Sequence, residues 1–167
     1  MFVGVFSFAQ SLGVDADKPL VDGVIDAKEY GYTKDFGRLT LHFRRTSDTL
    51  FIGVVGKTAG WVAVGLDSLR MDSALIFMGF VKDEEAQFKS QVGSGHTHKD
   101  SDAEIAGSVL SSAMKEEGGN TVLEVELKSA PYISKDQKEL QVIYAMGAAD
   151  VFTQQHTMRG SMKVPLS

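Results

Sequence analysis

The stretch Leu123-Glu124-Val125-Glu126-Leu127-Lys128 decides the fold class. Three aliphatic side chains alternate with three charged ones, the period-two signature of a strand with one face buried. The same rhythm runs outward from it. Leu39, Leu41 and Phe43 alternate with Thr40, His42 and Arg44, and after the turn at Ser47-Asp48 come Leu50, Ile52 and Val54. Leu140 to Tyr144 repeats the pattern. Trp61 to Leu66 and Ala74 to Val81 are apolar almost throughout, as expected of strands covered on both faces. Val62-Ala63-Val64-Gly65 also has small residues that leave room beside the backbone.

Turn-forming clusters punctuate these runs at Lys57–Gly60, Lys82–Glu85, Glu117–Asn120 and Ser134–Gln137. Strands therefore recur every eight to twelve residues or so, which favours antiparallel pairing over βαβ units. The expected fold is all-β: an antiparallel immunoglobulin-like β-sandwich of about ten strands with at most a short helix. Asp102–Glu117 is the one ambiguous stretch. It reads as a helix through Ile105, Val109, Leu110 and Met114, or as two short strands broken at Gly107.

The chain has 167 residues, 43% of them hydrophobic and 23% charged, the size and composition of one globular domain. Net charge is -5 and no basic stripe occurs, so no nucleic-acid partner is expected. There is no cysteine, which excludes disulfides, covalent c-type haem attachment and cysteine-held iron–sulfur clusters. No stretch is long and apolar enough to be expected to span a membrane. Residues 1–9 are largely apolar, and Ser7-Phe8-Ala9 offers small residues for cleavage before Gln10. They read as a signal-peptide remnant, which leaves 10–167 as one sandwich domain in a secreted or extracytoplasmic setting; the competing reading of 1–9 is an N-terminal strand.

Two residues stand out as ligands. Met71, between Arg70 and Asp72, and His156, after Gln154-Gln155, both fall where a strand should meet a loop. A thioether and an imidazole are a pair that can hold a haem iron from both sides. His96 and His98 form a His-x-His fragment followed by Asp100 and Asp102, at most a separate metal site, and otherwise a glycine-rich loop. His42 reads as exposed, and the Asp and Glu residues as solvated charge in turns and on outward strand faces. Gly-x-Ser-x-Gly, His-Glu-x-x-His and phosphate-loop motifs are absent, so a non-enzymatic module is expected.

Blocks of the sequence, taken in order, resemble the DOMON family, in its prokaryotic branch. That branch is related to the cytochrome domain of cellobiose dehydrogenase and to the haem-binding subunit of ethylbenzene dehydrogenase. The resemblance covers roughly Lys18 to Leu166. Pro19–Tyr30 is similar to the family's entry segment, and Gly60–Leu66 to its central glycine-tryptophan strand. Met71-Asp72-Ser73-Ala74 is similar to its Met-x-(small)-Ala segment. Gly95-His96-Thr97 with Asp100, Glu116–Gly119, and Asp150–Thr153 through His156 and Arg159-Gly160 resemble the later blocks. Leu75 departs from the pattern, standing where many members carry Asp.

The resemblance implies a b-type cytochrome domain for electron transfer. Non-covalent haem b would be held axially by Met71 and His156 and walled by residues such as Trp61 and Phe152. Both ligands are expected to project from neighbouring loop–strand junctions into one apolar cavity at one end of the sandwich. The implied partner is a redox protein or a small-molecule electron donor or acceptor. The family also contains members thought to bind sugars. The alternative is thus a sugar-binding or other small-ligand-binding extracytoplasmic module without haem.

Overall fold

The computed structural model describes residues 10–167; the signal-remnant reading of 1–9 lies outside the described residues. Among the described residues, eleven strands form two antiparallel sheets. The smaller runs β1 (Tyr32–Asp35), β2 (Leu39–Arg45), β3 (Thr49–Gly56), β9 (Asn120–Lys128), β8 (Val109–Glu117). The larger runs β11 (Met158–Pro165), β10 (Glu139–Met146), β4 (Val62–Leu66), β5 (Leu75–Lys82), β6 (Glu85–Ser94), β7 (Thr97–Asp100). The expected all-β sandwich is the observed one.

Its core is the sum of the period-two faces. Leu123, Val125 and Leu127 are fully buried, as are Leu41 and Phe43 of β2 and Ile52 and Val54 of β3. Cross-strand register puts Phe43 opposite Ile52, and Ile52 opposite Val125. They meet Val62, Val64 and Leu66 of β4 and Val142 of β10 across the sandwich. Burying each such side chain stabilises by about 1.5–3 kcal/mol. The ambiguous stretch resolves into one helical turn, α1 (Ala103–Ala106), capped by Asp102, followed by the edge strand β8.

The outer face of the smaller sheet corrects two expectations. Residues 18–30 cross it as a strap, ending in a single 3-10 turn, Ala27–Glu29. Beneath it, one row of the sheet runs Thr33, His42, Gly53, Glu124. Glu124 is not solvated charge but fully buried, and His42 is not exposed but 7% accessible. Glu124 accepts from the Tyr30 hydroxyl (2.6 Å) and from the backbone N–H groups of Gly23 (2.7 Å) and Asp22 (3.0 Å). Thr33 Oγ1 meets His42 Nδ1 at 2.9 Å. The alternation correctly turned both side chains outward, but period two alone cannot tell a solvated face from one covered by a strap.

The two ends of the described chain lie together. Leu12 bridges Leu166 in parallel, with Leu12 N–H donating to the Pro165 carbonyl (2.8 Å) and Ser167 N–H to the Leu12 carbonyl (3.2 Å).

Candidate ligand-binding face

The outer face of the larger sheet carries a second apolar cluster, separate from the core. Trp61 and Ala63 of the β4 region and Ala74, Ile76, Met78 and Phe80 around β5 form it; Met71, Ile143, Ala145 and Phe152 pack against it half-buried. This explains why β4 and β5 read as apolar on both sides. One row across the face runs Arg159, Ala145, Ala63, Met78, Lys89, an apolar centre between two cations. The next runs Ser161, Ile143, Gly65, Ile76, Gln91, Asp100. The room expected over Gly65 is filled by Ile143, whose Cγ1 lies 2.6 Å from where a glycine-replacing Cβ would stand.

Met71 and the loop that bears His156 approach this face from opposite directions. Met71 lies in the β4–β5 connection, after the last residue of β4. His156 lies in the β10–β11 loop, residues 147–157, which leaves the sheet where Met146 pairs with Val62, the first residue of β4. The two loops thus stand at opposite ends of β4, not at neighbouring junctions at one end of the sandwich. Antiparallel pairing of β10 with β4 forces this separation, about 13 Å for a five-residue strand. Met71 and Phe152 nevertheless join the same apolar cluster. His156, four positions beyond Phe152, is half-buried.

The loop is fixed at its base. Gly147 N–H donates to the Trp61 carbonyl (2.9 Å), Thr58 Oγ1 to the Gly147 carbonyl (2.7 Å), and Thr157 N–H to the Met146 carbonyl (2.8 Å). Gly147 abuts the Trp61 indole so closely that no side chain would fit there. Phe152 then lies against Phe80, ring centroids 4.7 Å apart, with Lys89 Nζ 5.0 Å from the Phe152 ring.

A third wall was missed by the sequence reading. The β6–β7 hairpin stands beside Met71. The Met71 carbonyl occupies the space where Gly93 would carry a Cβ, Gly95 N–H donates to Asp72 Oδ1 (2.8 Å), and Ser73 N–H donates to the Gly93 carbonyl (3.1 Å). A glycine inside a strand often marks such a close approach, and Gly93 carried that signal. His98 pairs with Gly93 and so belongs to this wall, while His96 is exposed at the turn. Among the described residues, no group of three or more His, Asp and Glu is arranged to hold a metal ion, so His96 and His98 acquire no such partners.

Among the described residues, five buried side-chain polar atoms lack a hydrogen-bond partner. Four of them belong to this face or its loop: Trp61 Nε1, Gln91 Oε1, His98 Nδ1 and Asp150 Oδ1. Such atoms are costly, and native proteins usually give them a protein, water or ligand partner. A cleft of about 440 Å³ lies between the β5–β6 turn (Asp83, Glu84), β8 of the smaller sheet (Met114, Lys115, Glu116) and Asp150 of the loop, and is lined by neither Met71 nor His156.

No protein-family model matches the chain, and no curated protein matches it. Solved structures do. The cytochrome domain of Myriococcum thermophilum cellobiose dehydrogenase superposes with a TM-score of 0.58 at 11% identity, covering 81% of both chains. The cytochrome b domain of Coprinopsis cinerea pyranose dehydrogenase gives 0.56 at 9% identity, covering 76% of both. A family 9 carbohydrate-binding module from Caldicellulosiruptor kristjanssonii, solved with cellotriose, gives 0.57 at 10% identity and 93% of both. This chain shares their fold. Among the described residues, no helix is long and apolar enough to cross a membrane.

Proposed function

We propose that this domain binds haem b on the outer face of the larger sheet and transfers electrons, with Met71 and His156 as the axial ligands. One observation carries the reading: Met71 and the loop bearing His156 converge on one apolar cluster from opposite ends of β4. The donor set fits the group: the Met71 thioether and the apolar walls belong to a face flanked by Lys89 and Arg159, and the His156 imidazole is half-buried in the loop that packs on this face through Phe152. When bound, haem b would supply a one-electron iron couple, and Met71 and His156 would be the residues that hold its iron, a donor pair that suits electron transfer rather than oxygen chemistry. The chain's own task is to hold the ring, exclude water with Trp61, Met78 and Phe80, and keep both ligands in place.

The cytochrome-domain neighbours support this reading, and the carbohydrate-module neighbour supports its rival. Trp61 weighs against a sugar platform, because it is 4% exposed beneath the 147–157 loop. The partner we propose is a redox protein or a small electron donor or acceptor, in an extracytoplasmic setting. The test is to titrate haemin into the purified protein and record oxidised and reduced spectra. A saturable Soret band at one equivalent is expected. A protein that stays colourless, yet binds cello-oligosaccharides by calorimetry, would replace haem with the sugar reading.

A further inference from the structure

The apolar cluster lies on the outside of a sheet, yet Trp61, Met78 and Phe80 are only 4%, 3% and 5% exposed. Their cover at the Trp61 end is the β10–β11 loop. Its base, through Ala149 and at Thr157, is tied by backbone bonds to Trp61 and Met146. Residues 150–156 form no strand or helix. Their described side-chain contacts to the sheet are those of Phe152, on Phe80 and under Lys89. In this position Asp150 Oδ1 is buried without a partner.

We infer that residues 150–156 are a lid, latched by Phe152, which closes over the apolar face and lifts to admit the ligand. The inference rests on the reading that this face is the binding site. The covered state gains the burial of one aromatic ring and its contact with a cation, and loses the solvation of a carboxylate oxygen. Opposed terms of similar size leave two states close in free energy, so differential contacts made by a ligand can shift the balance. The lid also accounts for an outward-facing apolar cluster that stays shielded from water. The class of ligand it suits is planar and largely apolar, able to take over the Phe80 surface that Phe152 vacates.

Trp61 is the only tryptophan in the chain and shares the apolar cluster with Phe152, so its fluorescence reports on how well that cluster is covered. The experiment is acrylamide quenching of Trp61 in the ligand-free wild type, Phe152→Ala and Lys89→Ala, with circular dichroism as the check on folding. A rise in the quenching constant of at least twofold is expected for Phe152→Ala, and a smaller rise for Lys89→Ala. Lys89 lies on the exposed side of β6, so that variant serves where Phe152→Ala does not fold. Stopped-flow mixing with haemin should then show association several-fold faster in Phe152→Ala. Unchanged quenching in every folded variant overturns the lid, even if a Soret band forms. Raised quenching with no Soret band in any protein keeps the lid and removes haem as its ligand.

Discussion

The Tyr30 hydroxyl donates to a fully buried Glu124 carboxylate at 2.6 Å, joining residues 94 positions apart in the chain. That bond, with two backbone donors from Asp22 and Gly23, fastens the strap of residues 18–30 to the smaller sheet. Burial pushes the Glu124 carboxyl above its ordinary range, while Tyr30 and the Gly23 and Asp22 N–H groups pull it partly back. A group raised in the folded state binds its proton more readily there than when unfolded. Its contribution is fully present below the unfolded carboxylate pKa and is lost as pH rises through the folded value. Urea denaturation from about pH 4 upward should therefore show a stability decline that Glu124→Gln flattens. His42 acts in the opposite sense. Burial lowers its pKa from 6.5, so its contribution is lost as pH falls below that value. The Glu124→Gln comparison must thus be made at each pH against wild type.

Val125 is fully buried, opposite Ile52. Val125→Asp places an unpaired carboxylate between the sheets and should destabilise by about 4 kcal/mol or more. Thermal melting checks it, and a wild-type melting temperature would contradict the register.

His156→Ala should abolish stable haem binding. Met71→Ala should leave a five-coordinate or water-ligated iron with a lower potential and a changed reduced spectrum, because thioether ligation raises the potential. Spectra of both variants titrated with haemin are the measurement. Unchanged spectra in both would remove the ligand assignment.

Gly93→Ala should mimic Met71→Ala. The added methyl group collides with the Met71 carbonyl, and the backbone of the loop must shift to relieve it. A stability loss of about 1–3 kcal/mol is expected from the overpacking, together with a haem titration resembling that of Met71→Ala. A wild-type haem spectrum in a folded Gly93→Ala would show that Met71 is not held to the site by this contact.

The fold was legible because burial on strands writes itself in period two, as Leu123, Val125 and Leu127 do. The two-sided burial of β4 and β5 was legible too, since Trp61, Ile76, Met78 and Phe80 leave no polar face there. Glu124 and His42 were misread because their cover comes from residues 18–30, distant in sequence and without a regular period. The relative placement of Met71 and His156 depends on the pairing of β10 with β4, a partnership that no local pattern announces. Gly93 was the overlooked sign that Met71 and the β6–β7 hairpin meet.

Leu12 and Leu166 run side by side, and that adjacency makes the order of strands along the chain partly dispensable. A short linker joining residue 10 to residue 167 of the described domain, with a new opening at the Gly118-Gly119 turn, would yield a circular permutant of residues 10–167 that retains every described strand pairing. The same adjacency would let residues 10–167 be grafted into a surface loop of a host protein, with both junctions at one point.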